Sequence, residues 1–199
     1  MAQLNLYYRT HLETKVSLLP DQIDGNIDDH LFENLKTKVE GKVIDMGIVL
    51  SVTRLIDYEN GIIDRSNFMG TTVFNVRYEC FMCSPTKNLE IVCVLENIVK
   101  GFLIARNGPV IVAIQFNNVD TQKFEISSSA IVVSKTQKPI QKGDYLKVSI
   151  ININNNPEEK NIVTMCKLLS LASKDEIKVF AEEQLLVTNG SVDDNKEFI

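Results

Sequence analysis

Along most of this chain apolar and polar residues alternate one by one, and in two places the alternation gives way to the spacing of a helix. The longest alternating run covers residues 71–84. Val73 and Phe74, then Val76, Tyr78, Cys80 and Met82 are separated by Asn75, Arg77 and Glu79, the two-residue period of a strand with one face buried. Pro85 ends it. Strands usually run about 5–6 residues, so this one either bends at a bulge or is shared by two packed units. The favoured reading is a bridge between two small domains.

Upstream, residues 4–19 read as a strand with Leu12, Val16 and Leu18 at even spacing, stopped by Pro20. From Ile27 the period changes: Ile27, Leu31, Leu35 and Val39 recur every fourth position, with Phe32 beside them. Asp28 and Asp29 fall in the first turn, where the helix dipole favours anions, and Asp24 or Asn26 is placed to cap it. Gly41 closes this amphipathic helix. Residues 43–57 return to extended structure, interrupted by Gly47, a bulge or close-approach point. Residues 58–70 are rich in turn signals, yet hold Ile62, Ile63, Phe68 and Met69. Apolar side chains on such a loop suit a docking surface; the alternative is that it folds back on its own core.

After Pro85 the pattern becomes short strands at regular spacing, over 89–99, 102–106, 110–116, 126–133, 145–153 and 162–169. The joints are Gly101, Asn107-Gly108-Pro109, Asn117-Asn118, Gly143-Asp144 and the Asn run before Pro157, all turn chemistry. No helical spacing interrupts them. Five or six antiparallel strands in this length suit a small closed barrel of the oligonucleotide-binding type. A last helix follows, capped by Ser173 with Glu176 three residues on, its stripe formed by Ile177, Phe180, Ala181, Gln184 and Leu185. The expectation is therefore an α+β protein: a strand-helix-strand-strand domain over 1–82, an antiparallel barrel over 83–170, and a helix with an acidic tail over 171–199.

Charge sharpens this division. Residues 1–80 carry 8 Lys/Arg against 12 Asp/Glu, residues 81–170 carry 10 against 7, and residues 171–199 carry 3 against 7. A basic barrel between acidic flanks points to nucleic acid, although so small an excess also arises by chance in solvated faces. Barrels of this type bind single strands by stacking bases on aromatics while cations follow the backbone. Lys100, Phe102, Arg106, Phe116 and Lys123 are the candidate RNA-binding residues. Phe102, Ile104 and Arg106 share one strand face and Leu103 and Ala105 the other; either face can be core, so Phe102 is a stacking platform or plain packing.

Other chemistries find little support. His11 and His30 stand without a nucleophile motif, a phosphate loop or HExxH, so no catalytic residue is expected. Cys80 and Cys83 form a lone CxxC, half of a zinc knuckle. Their odd spacing on a strand puts them on opposite faces, so packing is preferred to zinc or redox work, and no metal or cofactor is expected. The amino terminus lacks the pattern of a signal peptide and no apolar run approaches the roughly 20 residues of a membrane span. An intracellular protein with reduced thiols and no membrane partner is expected.

The ordered set of features resembles a known family. Strand, helix, Lys38-Val39-Glu40-Gly41-Lys42, then Gly47-Ile48-Val49-Leu50-Ser51-Val52-Thr53, a glycine-containing loop, the long strand, Pro85, and a barrel with Gly101-Phe102, Gly108-Pro109 and Gln141-Lys142-Gly143-Asp144 are similar to the seventh subunit of RNA polymerase II and its archaeal and polymerase III relatives. The resemblance covers residues 6–170. It implies a non-catalytic stalk subunit: a tip domain that docks on core polymerase near the clamp, and an S1-type barrel near nascent single-stranded RNA. The tip loop maps onto 58–70, which makes Ile62, Ile63, Phe68 and Met69 the candidate polymerase-docking residues. A second stalk subunit resembling the fourth subunit of RNA polymerase II is an implied partner. The family's Pro-Phe-Lys-Gly-Glu junction is replaced by Pro85-Thr86-Lys87-Asn88-Leu89-Glu90, and the C-terminal helix is an addition. The strong use of Asn, Ile and Lys and the loose matching suit a divergent viral copy, in the virion or host cytoplasm, where a cellular one would be nuclear. The alternative function is a free-standing S1-type RNA-binding module of translation or RNA decay.

Overall fold

The computed structural model describes residues 5–63, 70–99, 101–126, 131–133 and 138–189, and the chain divides into two compact units. Tyr7–Lys42 with Ile48–Cys83 form the first, and the other described residues form the second.

The first unit is built on β1 (Tyr7–Leu18), a 3-10 turn at Pro20–Gln22, and α1 (Ile27–Val39). After the two-residue β2 (Val43–Ile44), which belongs to the second unit, come β3 (Gly47–Tyr58), β4 (Ile62–Ile63) and β5 (Thr72–Cys83). β5 lies centrally, antiparallel to β1 on one side and to β3 on the other, with β4 also paired to it. α1 buries Leu31, Leu35 and Val39 of the stripe read from the sequence, while Ile27 in its first turn is half-buried. Asn26 stands at its N-cap but makes no side-chain cap bond; Asp24 instead accepts from the Asn26 amide at 2.8 Å.

The favoured reading of the long strand as a bridge between two domains is corrected. All of β5 pairs with β1 without a break, from Tyr7↔Cys83 to Leu18↔Thr72. β3 is equally long, and its pairing with β5 shifts register three times, at Val49/Ser51, Val52/Arg54 and Leu55/Asp57. Bulges coil and twist a strand, so its length is absorbed inside one sheet. Alternation holds from Phe74 to Cys80; from there to Cys83 every residue is buried.

The second unit is a closed barrel. β6 (Glu90–Val99), β7 (Phe102–Asn107) and β8 (Val110–Val119) form a meander. A small sheet of β9 (Phe124–Ile126), β10 (Ile131–Val133) and β11 (Lys138–Pro139) follows, then β12 (Tyr145–Asn154) and β13 (Ile162–Leu171). The barrel closes in the order β6-β7-β8-β13-β12 and back to β6, with β8 and β13 parallel and every other pair antiparallel. That is the five-stranded order of an oligonucleotide-binding fold. The single strand expected over 126–133 is two antiparallel ones, β9 and β10, outside the barrel.

The barrel core is filled by alternate residues such as Leu95, Leu103, Ile114, Leu146, Ile150 and Ile162. Thr164, fully buried, donates its hydroxyl to the Ile111 carbonyl at 3.2 Å. Two stretches upstream of the expected 83–170 belong to this unit: the Ser84 amide donates to the Leu6 carbonyl at 2.9 Å, and Asn155 Nδ2 to the Asp45 carbonyl at 3.0 Å. Asn88, in the turn into β6, takes a φ of 66°. Asn tolerates that left-handed conformation better than most residues.

α2 (Lys174–Asn189) ends the described chain. The expected capping box is formed in both directions: the Ser173 amide donates to Glu176 Oε2 at 2.8 Å and the Glu176 amide to Ser173 Oγ at 3.3 Å.

Candidate functional site

Two sets of residues carry the functional expectations, one on each unit. In the first unit β4 lies along β5 with Ile62 opposite Val73 and Ile63 opposite Thr72. Pairing leaves their side chains in solvent, Ile62 71% and Ile63 57% exposed. Phe68 and Met69, the other two docking candidates, lie outside the described residues. The approach to β4 is tight: a Cβ on Gly61 would stand 2.6 Å from Phe74 Cζ. Phe74 in turn meets Tyr58 edge to face, with ring centroids 5.9 Å apart. The Tyr58 hydroxyl bonds to Asp28 of α1, which raises its pKa.

In the second unit the ambiguous faces of β7 are resolved. Leu103 and Ala105 are core, and Phe102, Ile104 and Arg106 point outward. Phe102 is 37% exposed and sits opposite Val99 and Gln115. Phe116 is half-buried nearby, its amide donating to the Gly101 carbonyl at 3.1 Å. Arg106 stands four residues along the strand from Phe102, about 13 Å, and its Nε lies 2.9 Å from Glu96 Oε1. Lys123 is exposed but donates to the Leu169 carbonyl at 3.1 Å, with Asp120 4.0 Å away. Lys100 lies outside the described residues. Phe102 and Phe116 are thus neighbours through the backbone, by the Phe102–Gln115 pairing and the Phe116–Gly101 hydrogen bond, whereas Arg106 stands further along the strand, and Arg106 and Lys123 both have partners within the chain.

Sequence reasoning missed the character of the surrounding wall. Strand register sets Ile104 beside Ala113 and Arg106 beside Ile111. The same register sets Ala113 beside Met165 and Ile111 beside Val163. The outer face of β7, β8 and β13 is therefore largely apolar, a property that only the parallel pairing of β8 with β13 reveals.

The four cysteines are buried, and none is joined in a disulfide. Burial pushes the thiols of Cys80 and Cys166 up to about 11, and that of Cys93 further. Among the described residues no group of three or more His, Cys, Asp or Glu is placed to hold a metal ion, and no helix is long and apolar enough to cross a membrane.

The barrel and the sheet with its one helix define the class first: an SHS2-type domain joined to an oligonucleotide-binding-type barrel. Residues 13–65 match the family described as "SHS2 domain found in N terminus of Rpb7p/Rpc25p/MJ0397". Over all 199 residues of both chains the protein is 57% identical to one from Acanthamoeba polyphaga mimivirus, provisionally named DNA-directed RNA polymerase subunit L376. It is also 24% identical, over 69% of this chain and 75% of the other, to DNA-directed RNA polymerase subunit Rpo7 of Sulfolobus acidocaldarius. The chain belongs to the Rpb7-like family of DNA-directed RNA polymerase subunits, as a divergent member of the viral type. Other polymerase subunits are accordingly its partners in transcription.

Proposed function

We propose that the chain is a non-catalytic stalk subunit, whose first unit docks on core polymerase near the clamp through Ile62, Ile63, Phe68 and Met69. The observation that carries this reading is the exposure of two adjacent isoleucines on β4, each anchored in register on β5. Full burial of an aliphatic side chain contributes about 1.5–3 kcal/mol, so the pair suffices for a specific contact. The double substitution Ile62→Ser/Ile63→Ser should leave the isolated chain folded and release it from reconstituted polymerase on size-exclusion chromatography. Co-elution at full stoichiometry would sink the docking reading.

The barrel then contacts nascent RNA at the rim formed by Phe102 and Phe116, with Lys100, Arg106 and Lys123 as its cations. A second reading is favoured by the apolar wall around Ile104, Ile111 and Met165: the barrel is a protein-facing scaffold, and a second stalk subunit is the natural occupant. Photo-crosslinking from position 102 in a transcribing complex separates them, since RNA adducts support the first and protein adducts the second.

A further inference from the structure

A groove of about 770 Å³ runs along the second unit, between α2 and the turn and strand that open the barrel. That volume is in the range of preformed binding clefts, about 300–1,000 Å³. Glu176, Val179, Phe180 and Glu183 form one wall, Lys87, Leu89 and Ile91 the other, and Asn5 and Leu6 contribute to the lining.

Both walls are fixed. On the strand side the Asn88 amide donates to the Ile150 carbonyl at 2.8 Å and the Leu89 amide to the Thr86 carbonyl at 3.2 Å. On the helix side Phe180 is buried against Tyr145, edge to face at 5.7 Å, and Gln184 Nε2 donates to Asn107 Oδ1 at 2.8 Å. Lys147 bonds both Glu90 and Glu176 at 2.9 Å. A groove held this way needs little rearrangement on binding.

Its unsatisfied features are specific. Val179 is 55% exposed on the lip. Glu90 and Glu176 share Lys147, but Glu183 is half-buried and has no hydrogen bond or ion pair among the described residues. Burial raises its pKa. A carboxylate withdrawn from water without a partner is costly, and a cation brought by a ligand removes that cost.

We propose that this groove docks a segment of another protein chain, presenting an apolar face and one Lys or Arg that pairs with Glu183. Charge selects this occupant. The lining side chains Lys87, Glu90, Lys147, Asp175, Glu176 and Glu183 sum to −2, which repels nucleic acid. The last ten residues of this chain also sum to −2 and are repelled in the same way. The inference is independent of the docking of Ile62 and Ile63, because the groove lies wholly within the other unit.

The test has two arms. With the isolated full chain, fluorescence anisotropy measures binding of a twelve-residue leucine–lysine peptide and of its leucine–glutamate twin. The lysine peptide should bind and the glutamate twin should not. Glu183→Lys should weaken binding at least about tenfold, the loss of one charge-assisted hydrogen bond. Glu182→Lys, the same charge change on an exposed helix position, should leave it within about twofold. Equal binding of both peptides, or equal loss in Glu182→Lys and Glu183→Lys, overturns the proposal. Glu183→Gln should melt no lower than the parent, because the carboxylate it removes has no partner; a lower melting temperature assigns Glu183 a structural role instead and also overturns it. In the assembled polymerase, benzoylphenylalanine at position 179 should crosslink to a segment of another subunit carrying Lys or Arg among apolar residues. Adducts confined to this chain's own termini, to RNA or to an acidic segment, or no adduct at all, overturn it. Incorporation of the chain into polymerase, scored in the same preparation, reports the docking reading separately.

Discussion

Replacing Phe180 by Ala tests what holds the C-terminal helix. Among the contacts that attach α2 to the barrel are Phe180 against Tyr145, Gln184 to Asn107, and Glu176 to Lys147. Burial of the Phe180 side chain contributes about 1.5–3 kcal/mol, and the edge-to-face pair about 0.5–1.5 kcal/mol more. The amide hydrogen bond adds about 1 kcal/mol, and the partly exposed ion pair no more than about 1 kcal/mol. Phe180 therefore carries the larger share, and its loss shifts the docking equilibrium by about 2–4 kcal/mol, roughly thirtyfold to a thousandfold. A helix of 16 residues is marginal alone in water, so undocking is also melting. Hydrogen exchange followed by mass spectrometry should show residues 174–189 losing protection while β6, β8 and β13 keep theirs. Unchanged protection would mean that another contact holds the helix; loss across the whole barrel would mean that α2 is part of its core. Either result refutes the ranking.

Two further outcomes follow from the same geometry. The amide of Ser173 and the ammonium of Lys147 hold the Glu176 carboxyl down to about 2, so its contribution to α2 docking is complete above about pH 4.5 and is lost as pH falls toward 2; protection of α2 should fall over that window, and Glu176→Gln should flatten the profile. Gly61→Ala drives a methyl into Thr72 and Phe74, an overpacking worth about 1–3 kcal/mol, and the thermal midpoint of the first unit should drop while that of the barrel stays.

What was legible in the sequence was whatever has a local period. The α1 stripe of Leu31, Leu35 and Val39, the even face of β5 and the Ser173–Glu176 capping box all follow from spacing along one element. Position on a helix was less secure. Phe180 is buried as expected, but Leu185 is 60% exposed, because five residues at 100° each carry it about 140° around the helix from Phe180. Features that need a second strand were out of reach. Residues 5–6 and 43–47 join the barrel unit through hydrogen bonds to Ser84 and Asn155. The apolar wall exists only because β13 runs parallel to β8, and no local pattern encodes that.

The same limit applies to the barrel's charge and bears on how RNA would bind. Residues 81–170 hold an excess of three cations, the pattern of an electrostatic footprint, but three of their ten Lys and Arg residues are committed within the chain: Arg106 to Glu96, Lys123 to Asp120 and the Leu169 carbonyl, Lys147 to Glu90 and Glu176. Each of these must leave its partner to meet a phosphate. With Lys100, Arg106 and Lys123 all engaged, a single strand releases about 0.7 counterion per contact, so the logarithm of affinity should fall with the logarithm of salt with a slope no steeper than about −2. Stacking on Phe102 and Phe116, about 1–3 kcal/mol per base, would then supply much of the remainder and be nearly insensitive to salt. Titrating a fluorescent single-stranded RNA between low and physiological salt checks this directly. A slope of about −5 would require about seven cations, more than twice the candidate set, and would move the RNA path away from β7, whereas a shallow slope with binding that is lost in Phe102→Ala would place it there.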